Sequence, residues 1–266
     1  MDLIQALILG LVEGITEYLP VSSTGHLLIA QRLLGIEEGE AANAYAIAIQ
    51  AGAIVAVLGT YRARVAGMVR GLAGRDAAGL HLALCIIAAF LPAAVLGVLF
   101  DDRIEQYLFG VKPVIAAWIA GGVLILALSR WVAARREGLD LDGLTWRAAV
   151  VIGFVQAIAM WPGTSRSLVT ILGGLAVGLS LAAAVEFAFL LGVVTLTAAS
   201  AYSVVRSGDG MLGSYGWPAL LAGFLSAWVS AALAVKWMVA WLNRHGLALF
   251  AWWRFAAAAL AWALLL

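Results

Sequence analysis

Val12-Glu13-Gly14-Ile15-Thr16-Glu17-Tyr18-Leu19-Pro20-Val21-Ser22-Ser23-Thr24-Gly25-His26 is a polar block inside an otherwise apolar stretch of about 3–35. Pro20 lacks a backbone N–H and stops the helix that leads into it. Ser22, Ser23 or Thr24 can cap the helix that follows. Each flanking helix has room for about 15 residues, roughly 22 Å at 1.5 Å per residue, too short to cross a core of about 30 Å. The block therefore predicts a hairpin that enters a membrane, turns and leaves by the same face. A second block, Trp161-Pro162-Gly163-Thr164-Ser165-Arg166-Ser167, followed by Thr170, interrupts the apolar segment of about 147–180 in the same manner.

The rest of the chain fits a bilayer. Of 266 residues, 64% are hydrophobic and 12% charged, and the mean hydropathy is +1.02. Soluble domains run near 45–50% apolar and about 25% charged. Continuous apolar runs at about 43–61, 82–100, 113–129, 185–206, 217–241 and 247–266 each suit one membrane helix. The expected class is an all-α polytopic membrane protein with about six transmembrane helices and two re-entrant hairpins. It forms a single integral membrane domain over residues 1–266. A net charge of +1 gives no case for nucleic-acid binding. The single cysteine, Cys85, excludes an internal disulfide and reads as apolar filler. Met1-Asp2 has no basic region of a signal peptide, so the N-terminal stretch is expected to persist.

Charge placement orients the chain. Arg62, Arg64, Arg70 and Arg75 in one loop, and Arg130, Arg135, Arg136 and Arg147 in another, mark the cytoplasmic side. Lys236, Arg244 and His245 place the 242–246 turn there too. Glu37, Glu38 and Glu40, and Asp101, Asp102 and Glu105, fit the outer side. Six crossings then leave the two broken segments entering from opposite faces. Gly10-Leu11-Val12-Glu13 lies beside Gly153-Phe154-Val155-Gln156. With one residue of slip, Pro20-Val21-Ser22-Ser23 lies beside Pro162-Gly163-Thr164-Ser165. This predicts an inverted-topology repeat with halves of approximately 1–142 and 143–266 and a site where the breaks meet.

Ionisable groups at bilayer depth are costly and point to function. Glu13 and Glu17 share one helix face and suit general acid–base work or a cation; the bland alternative is a wet cavity they merely shape. Ser22, Ser23 and Thr24 are caps or a nucleophile. His26 is a base, an acid or a nucleophile, or a structural histidine. Ser165, Ser167 and Thr170 add hydroxyls in the second block. Arg166 adds a fork suited to phosphate oxygens, or an ion pair to a glutamate that locks the fold. Free helix starts favour phosphate, so the inventory matches phosphoryl transfer. Glu186 reads as a helix-packing group, and His81 and His245 as solvated. Lys236, Arg244 and Arg254 read as interface anchors, and tryptophans such as Trp252 and Trp253 as interfacial belts. Inverted repeats with broken helices equally suit a secondary transporter or flippase for an anion or lipid phosphate. A purely structural scaffold would need no glutamates or arginine at this depth.

The block 12–26 and Pro162-Gly163-Thr164-Ser165-Arg166-Ser167 resemble the undecaprenyl-diphosphate phosphatase family, the bacitracin-resistance proteins, and the resemblance extends in hydropathy over essentially the whole chain. The family usually continues the second block with Gly-Ala-Thr or Gly-Ser-Thr; here Leu168-Val169 precede Thr170. The resemblance implies hydrolysis of undecaprenyl diphosphate, a polyprenyl diphosphate lipid, to undecaprenyl phosphate and inorganic phosphate. That recycles the carrier lipid for peptidoglycan synthesis, cell-wall biogenesis and cell shape, and confers resistance to the antibiotic bacitracin. It implies the bacterial inner membrane, a site facing the periplasm, and a divalent cation (Mg2+ or Ca2+) at Glu13 and Glu17. A homodimer is left open. The implied site residues are Glu13, Glu17, Ser22, Ser23, His26, Ser165, Arg166 and Thr170. Ser23, His26 or a water remain alternatives for the attacking group.

Overall fold

A computed structural model describes residues 1–37, 39–133 and 137–266, and only the backbone of 101, 102, 105, 204, 206–210 and 243. Glu38, Arg135, Arg136 and the side chains of Asp101, Asp102 and Glu105, which carry part of the charge argument, lie outside the described residues. Inside a hydrocarbon layer a backbone must satisfy its own polar groups, and a helix does so within one segment. Among the described residues the chain accordingly forms helices, with no named strand. Six stretches are long and apolar enough to cross a membrane: Glu40–Thr60, Ala77–Phe100, Val111–Ala133, Leu181–Ser203, Met211–Leu242 and Ala248–Leu265. This is a multi-pass membrane protein.

The first hairpin is α1 (Leu3–Thr16) and α2 (Ser23–Leu33). Asp2 and Gln5 form a reciprocal capping box that fixes the start of α1. Gln5 Nε2 donates to the Leu34 carbonyl at 3.0 Å, so the hairpin's two ends lie side by side. After α3 (Glu40–Thr60), α4 (Arg62–Leu72), α5 (Ala77–Leu108) and α6 (Val111–Ala133) comes the second hairpin. It runs through α7 (Trp146–Gln156), a 3-10 turn Ala157–Met160 and α8 (Arg166–Ala176). Its ends also meet, through Leu139 N–H to Gly178 O at 2.9 Å and Ser180 N–H to Leu139 O at 3.0 Å. Helices of 14, 11, 11 and 11 residues, about 21 Å long for the first and about 16 Å for the others, fall short of a bilayer core of about 30 Å.

α9 (Leu181–His245) breaks at Gly216, whose φ of 74° is open to glycine, and Pro218 follows. Ser200 Oγ donates to Ile47 O and Tyr45 Oη donates to Ala219 O, so the stretches on either side of Gly216 pack on the same part of α3. The chain therefore doubles back there before α10 (Ala248–Leu265). α1 sits tightly on the returning limb. A Cβ at Gly10 would overlap the Gly223 backbone, and one at Gly14 the Ser230 side chain and Ala227 carbonyl. This is the small-residue contact that lets membrane helices approach closely. Leu91, Val98, Leu124, Trp252 and Leu264 are among the large apolar side chains left exposed, as a lipid-facing surface requires.

Arg62, Arg64, Arg70, Arg75 and Arg147 collect where α3 ends, α5 and α9 begin and the second hairpin starts, while the first hairpin starts at the opposite end of α3. The tips of the two hairpins meet between these sides. Ser22 and Ser165, which precede α2 and α8, share a left-handed backbone, φ 72° and 76°. Ser22 and Ser165 are 143 residues apart in the chain, the same separation as Gly10 and Gly153.

Candidate active site

The tips interlock through hydrogen bonds. Ser167 Oγ donates to Leu19 O at 2.9 Å, and Ser165 Oγ reaches the same carbonyl at 3.5 Å. Arg166 Nη2 donates to Glu17 Oε1 at 3.1 Å, with both side chains largely buried. Arg166 Nη1 donates to Ala188 O at 3.0 Å, and the guanidinium lies 5.4 Å over the Tyr18 ring. The other Glu17 oxygen accepts a short hydrogen bond from Ser23 Oγ. A hydroxyl, a carboxylate and a guanidinium thus stand in one line: Ser23, Glu17, Arg166. This is the arrangement of a nucleophile beside its base, with a third group orienting the base.

The line borders a cavity of about 170 Å³ walled by Glu17, Ser22, Ser23, Thr24, Gln50 and Arg166, with the turn Pro162, Gly163, Ser165 opposite. At about 30 Å³ per water it has room for roughly five waters. The Ser22 side chain does not cap α2, so the first-turn N–H groups of that helix remain available to an anion. In the second tip Ser165 caps its own helix by accepting from Leu168 N–H at 3.3 Å.

Several expected residues lie behind this wall. Glu13 is fully buried, does not line the cavity, and neither of its oxygens has a hydrogen-bond partner. Arg166 Nε, Tyr18 Oη and Gln156 Nε2 are likewise buried and unpartnered. Ser167 is spent on Leu19, and Thr170 Oγ1 donates to Arg166 O at 2.8 Å, a bond that steadies the start of α8. His26 is set off from the cavity lining. Trp253 Nε1 donates to its Nε2 at 2.9 Å, so Nδ1 carries the proton and donates to Ser22 O at 2.7 Å. Its ring packs between Trp118 and Trp253. Both nitrogens are engaged in holding Ser22 in its left-handed turn.

The matching family model is described as "Bacitracin resistance protein BacA" and covers residues 6–260. The chain belongs to the BacA family. It is 44% identical over 262 residues to the undecaprenyl-diphosphatase of Sorangium cellulosum, covering 96% of this chain and 84% of the relative. It is 44% identical over 255 residues to the undecaprenyl-diphosphatase of Ectopseudomonas mendocina, covering 95% and 90%. Undecaprenyl-diphosphatase 2 of Rhodospirillum rubrum is 44% identical over 260 residues, covering 96% and 92%.

The BacA chain holds one cavity-lining residue that sequence reasoning passed over and one arginine it misplaced. Gln50 lines the cavity from α3; its signal was a lone amide in the middle of an apolar run. Gln156 accepts from Thr195 Oγ1 at 3.3 Å behind the second tip. Arg254 is not an interface anchor. It is 0% exposed and donates to carbonyls of both tips: Pro20 O at 2.8 Å, Gly163 O at 2.6 Å and Thr164 O at 2.8 Å. It also reaches Ala117 O and Trp118 O of α6 at 3.5 and 3.4 Å. An arginine inside an apolar helix was the signal. Trp118 is likewise buried rather than in a belt, donating to Val21 O at 2.8 Å. Glu186 accepts from Arg64 Nε at 2.8 Å, a charged hydrogen bond that joins α9 to α4, in keeping with a helix-packing group.

Proposed function

We propose that this BacA chain hydrolyses undecaprenyl diphosphate to undecaprenyl phosphate and inorganic phosphate, with Ser23 as the attacking group. The single observation that carries the mechanism is the Ser23–Glu17–Arg166 line on the cavity wall. Glu17 takes the hydroxyl proton as Ser23 Oγ attacks the terminal phosphorus. The bond from that phosphorus to the bridging oxygen breaks, and undecaprenyl phosphate leaves. Glu17 passes that proton to solvent as the lipid phosphate departs; water then attacks the phosphoserine, Glu17 takes a proton from that water and returns it to Ser23 Oγ as the serine–phosphorus bond breaks and inorganic phosphate leaves. Arg166 and the open start of α2 neutralise charge on the phosphoryl oxygens in both steps. Such recycling of the carrier lipid serves cell-wall synthesis and fits the bacitracin resistance in the family's description.

The donor set fits a hard divalent cation. Glu13 offers two unpartnered buried oxygens one turn from Glu17, and Mg2+ commonly takes one or two carboxylates and completes its shell with substrate phosphate and water. Glu13 and Glu17 would hold it, and the ion would offset charge on the diphosphate. The arginine-rich side is assigned to the cytoplasm of the bacterial inner membrane by the excess of basic residues. With that orientation we assign substrate entry to the opposite, periplasmic face.

The test is phosphate release by the purified chain in detergent. Glu17→Ala and Arg166→Ala should each lower turnover by about 100-fold or more while the protein elutes and melts as a folded species. Near-native rates in both would remove the site. Uptake into liposomes with no phosphate release would replace hydrolysis with transport.

A further inference from the structure

Four successive carbonyls of the first tip each accept from a side chain. Ser167 Oγ donates to Leu19 O at 2.9 Å, Arg254 Nη1 to Pro20 O at 2.8 Å, Trp118 Nε1 to Val21 O at 2.8 Å and His26 Nδ1 to Ser22 O at 2.7 Å. A guanidinium and an indole can only donate, and a hydroxyl rotates to suit its acceptor. Imidazole differs: its Nδ1 donates or accepts according to where the single proton sits. Of the four contacts, only the one from His26 needs a further group to fix its sense.

That group is Trp253, which sequence reasoning placed in an interfacial belt. Its Nε1 stands 2.9 Å from His26 Nε2 and can only donate. The rings stack at 16°, and Trp118 packs against the imidazole with 4.8 Å between centroids. With the proton on Nε2 instead, that N–H would meet the indole N–H, and the Nδ1 lone pair would meet the Ser22 oxygen. Two repulsive contacts would replace two hydrogen bonds. The consequence reaches the cavity through the backbone. A planar trans peptide points its C=O and its N–H in opposite directions. With Val21 O on Trp118 and Ser22 O on His26, the N–H groups of Ser22 and Ser23 turn away from those two rings. Ser22 and Ser23 line the polar cavity, and neither His26 nor Trp118 does. The two N–H groups therefore face the cavity side, next to the hydroxyl that attacks. A turned Ser22–Ser23 peptide would set a carbonyl oxygen there, against the phosphoryl oxygens.

We infer that Trp253 is a positioning residue for the hydrolysis: its indole N–H keeps the proton of His26 on Nδ1, and the imidazole so held keeps the Ser22–Ser23 peptide with its N–H toward the phosphoryl group. This rests on the hydrolase reading above. Trp253 touches no reacting atom and acts only through His26. The imidazole in turn is a strut and not a proton carrier, since both of its nitrogens are occupied.

Phosphate release from undecaprenyl diphosphate and the nitrogen NMR spectrum of isotope-labelled histidines are measured on the full chain in detergent. The chain has three histidines, and the spectrum of His26→Asn identifies the His26 signals by their loss. Wild type should show His26 protonated at Nδ1 and bare at Nε2. Trp253→Phe keeps an aromatic ring on the imidazole and removes only the donor; residue 253 is 53% exposed, so the core stays packed. In that variant the His26 proton should shift toward Nε2, a change that a merely structural role would not produce, and kcat/KM should fall about fivefold. Trp252→Phe, at the neighbouring exposed indole, should leave the His26 signals unmoved and the rate within about twofold of wild type. Asparagine offers an amide N–H in place of Nδ1–H and has no tautomers. In the His26→Asn background, Trp253→Phe should therefore cost less than about twofold further. The inference is overturned by a His26 that stays protonated at Nδ1 in Trp253→Phe, or by a wild-type rate in that variant. A fivefold loss that persists in the His26→Asn background overturns it too, as does complete loss of turnover in His26→Asn, which would make the imidazole a reacting group. A wild type that releases no phosphate instead brings down the hydrolase reading and this inference with it.

Discussion

Single atoms decide what each polar residue of the tips can do. Ser23 Oγ donates to Glu17, so Ser23→Ala should lower kcat by about 100-fold or more with little change in KM, read by steady-state phosphate release. Gly192 tests Arg166 without touching substrate. A Cβ at that position would overlap the guanidinium, so Gly192→Ala should push Arg166 off Glu17. About tenfold or more is expected off kcat, with a melting temperature near wild type. Retention of full activity would mean that Arg166 is not held where the chemistry needs it. Ser22 tests the backbone. At φ 72° a β-branched side chain is strained and glycine is not. Ser22→Gly should therefore melt close to wild type and Ser22→Val lower by about 1–3 kcal/mol, read by thermal unfolding.

At the scale of elements, the catalytic geometry depends on short helices ending at the right depth. α1 is fixed against the returning limb of α9 by Gly10 and Gly14, where a side chain would collide with backbone. Gly14→Leu should separate the two helices, lift the first tip from the second and lower stability by about 2 kcal/mol or more. The check is a melting curve together with loss of turnover; an unchanged curve would place the contact elsewhere. The two helix breaks and their polar turns were legible in the sequence, because a proline, hydroxyls and charges inside an apolar run break the helix and cost desolvation energy unless they line a site. The function of each hydroxyl was not legible. Ser165 caps α8 whereas Ser22 leaves α2 uncapped, and only the turn's path separates those outcomes.

Across the whole molecule, Arg254 joins what the chain keeps far apart. Its guanidinium gathers carbonyls from Pro20, Gly163 and Thr164 and so sets the distance between the two polar turns. Arg254→Leu leaves those buried carbonyls unsatisfied, at about 1–3 kcal/mol each. A lower melting temperature and loss of activity are expected together, with Arg254→Lys intermediate because an ammonium cannot fork to several carbonyls. An Arg254→Leu protein that melts and turns over like wild type would show that α10 does not position the tips.

The sequence by itself determined the bilayer setting, the six long helices, the two broken segments and the membership suggested by the 12–26 block, since each follows from local hydropathy or local chemistry. Only the tertiary structure decided that Glu17 faces the cavity and Glu13 lies behind it, that His26 braces a turn, and that Arg254 lies at the centre. In a soluble helix the apolar face marks the inside. In lipid both faces are apolar, so hydropathy carries no record of which side of α1, α3 or α10 turns inward. That direction is set by packing between helices more than a hundred residues apart.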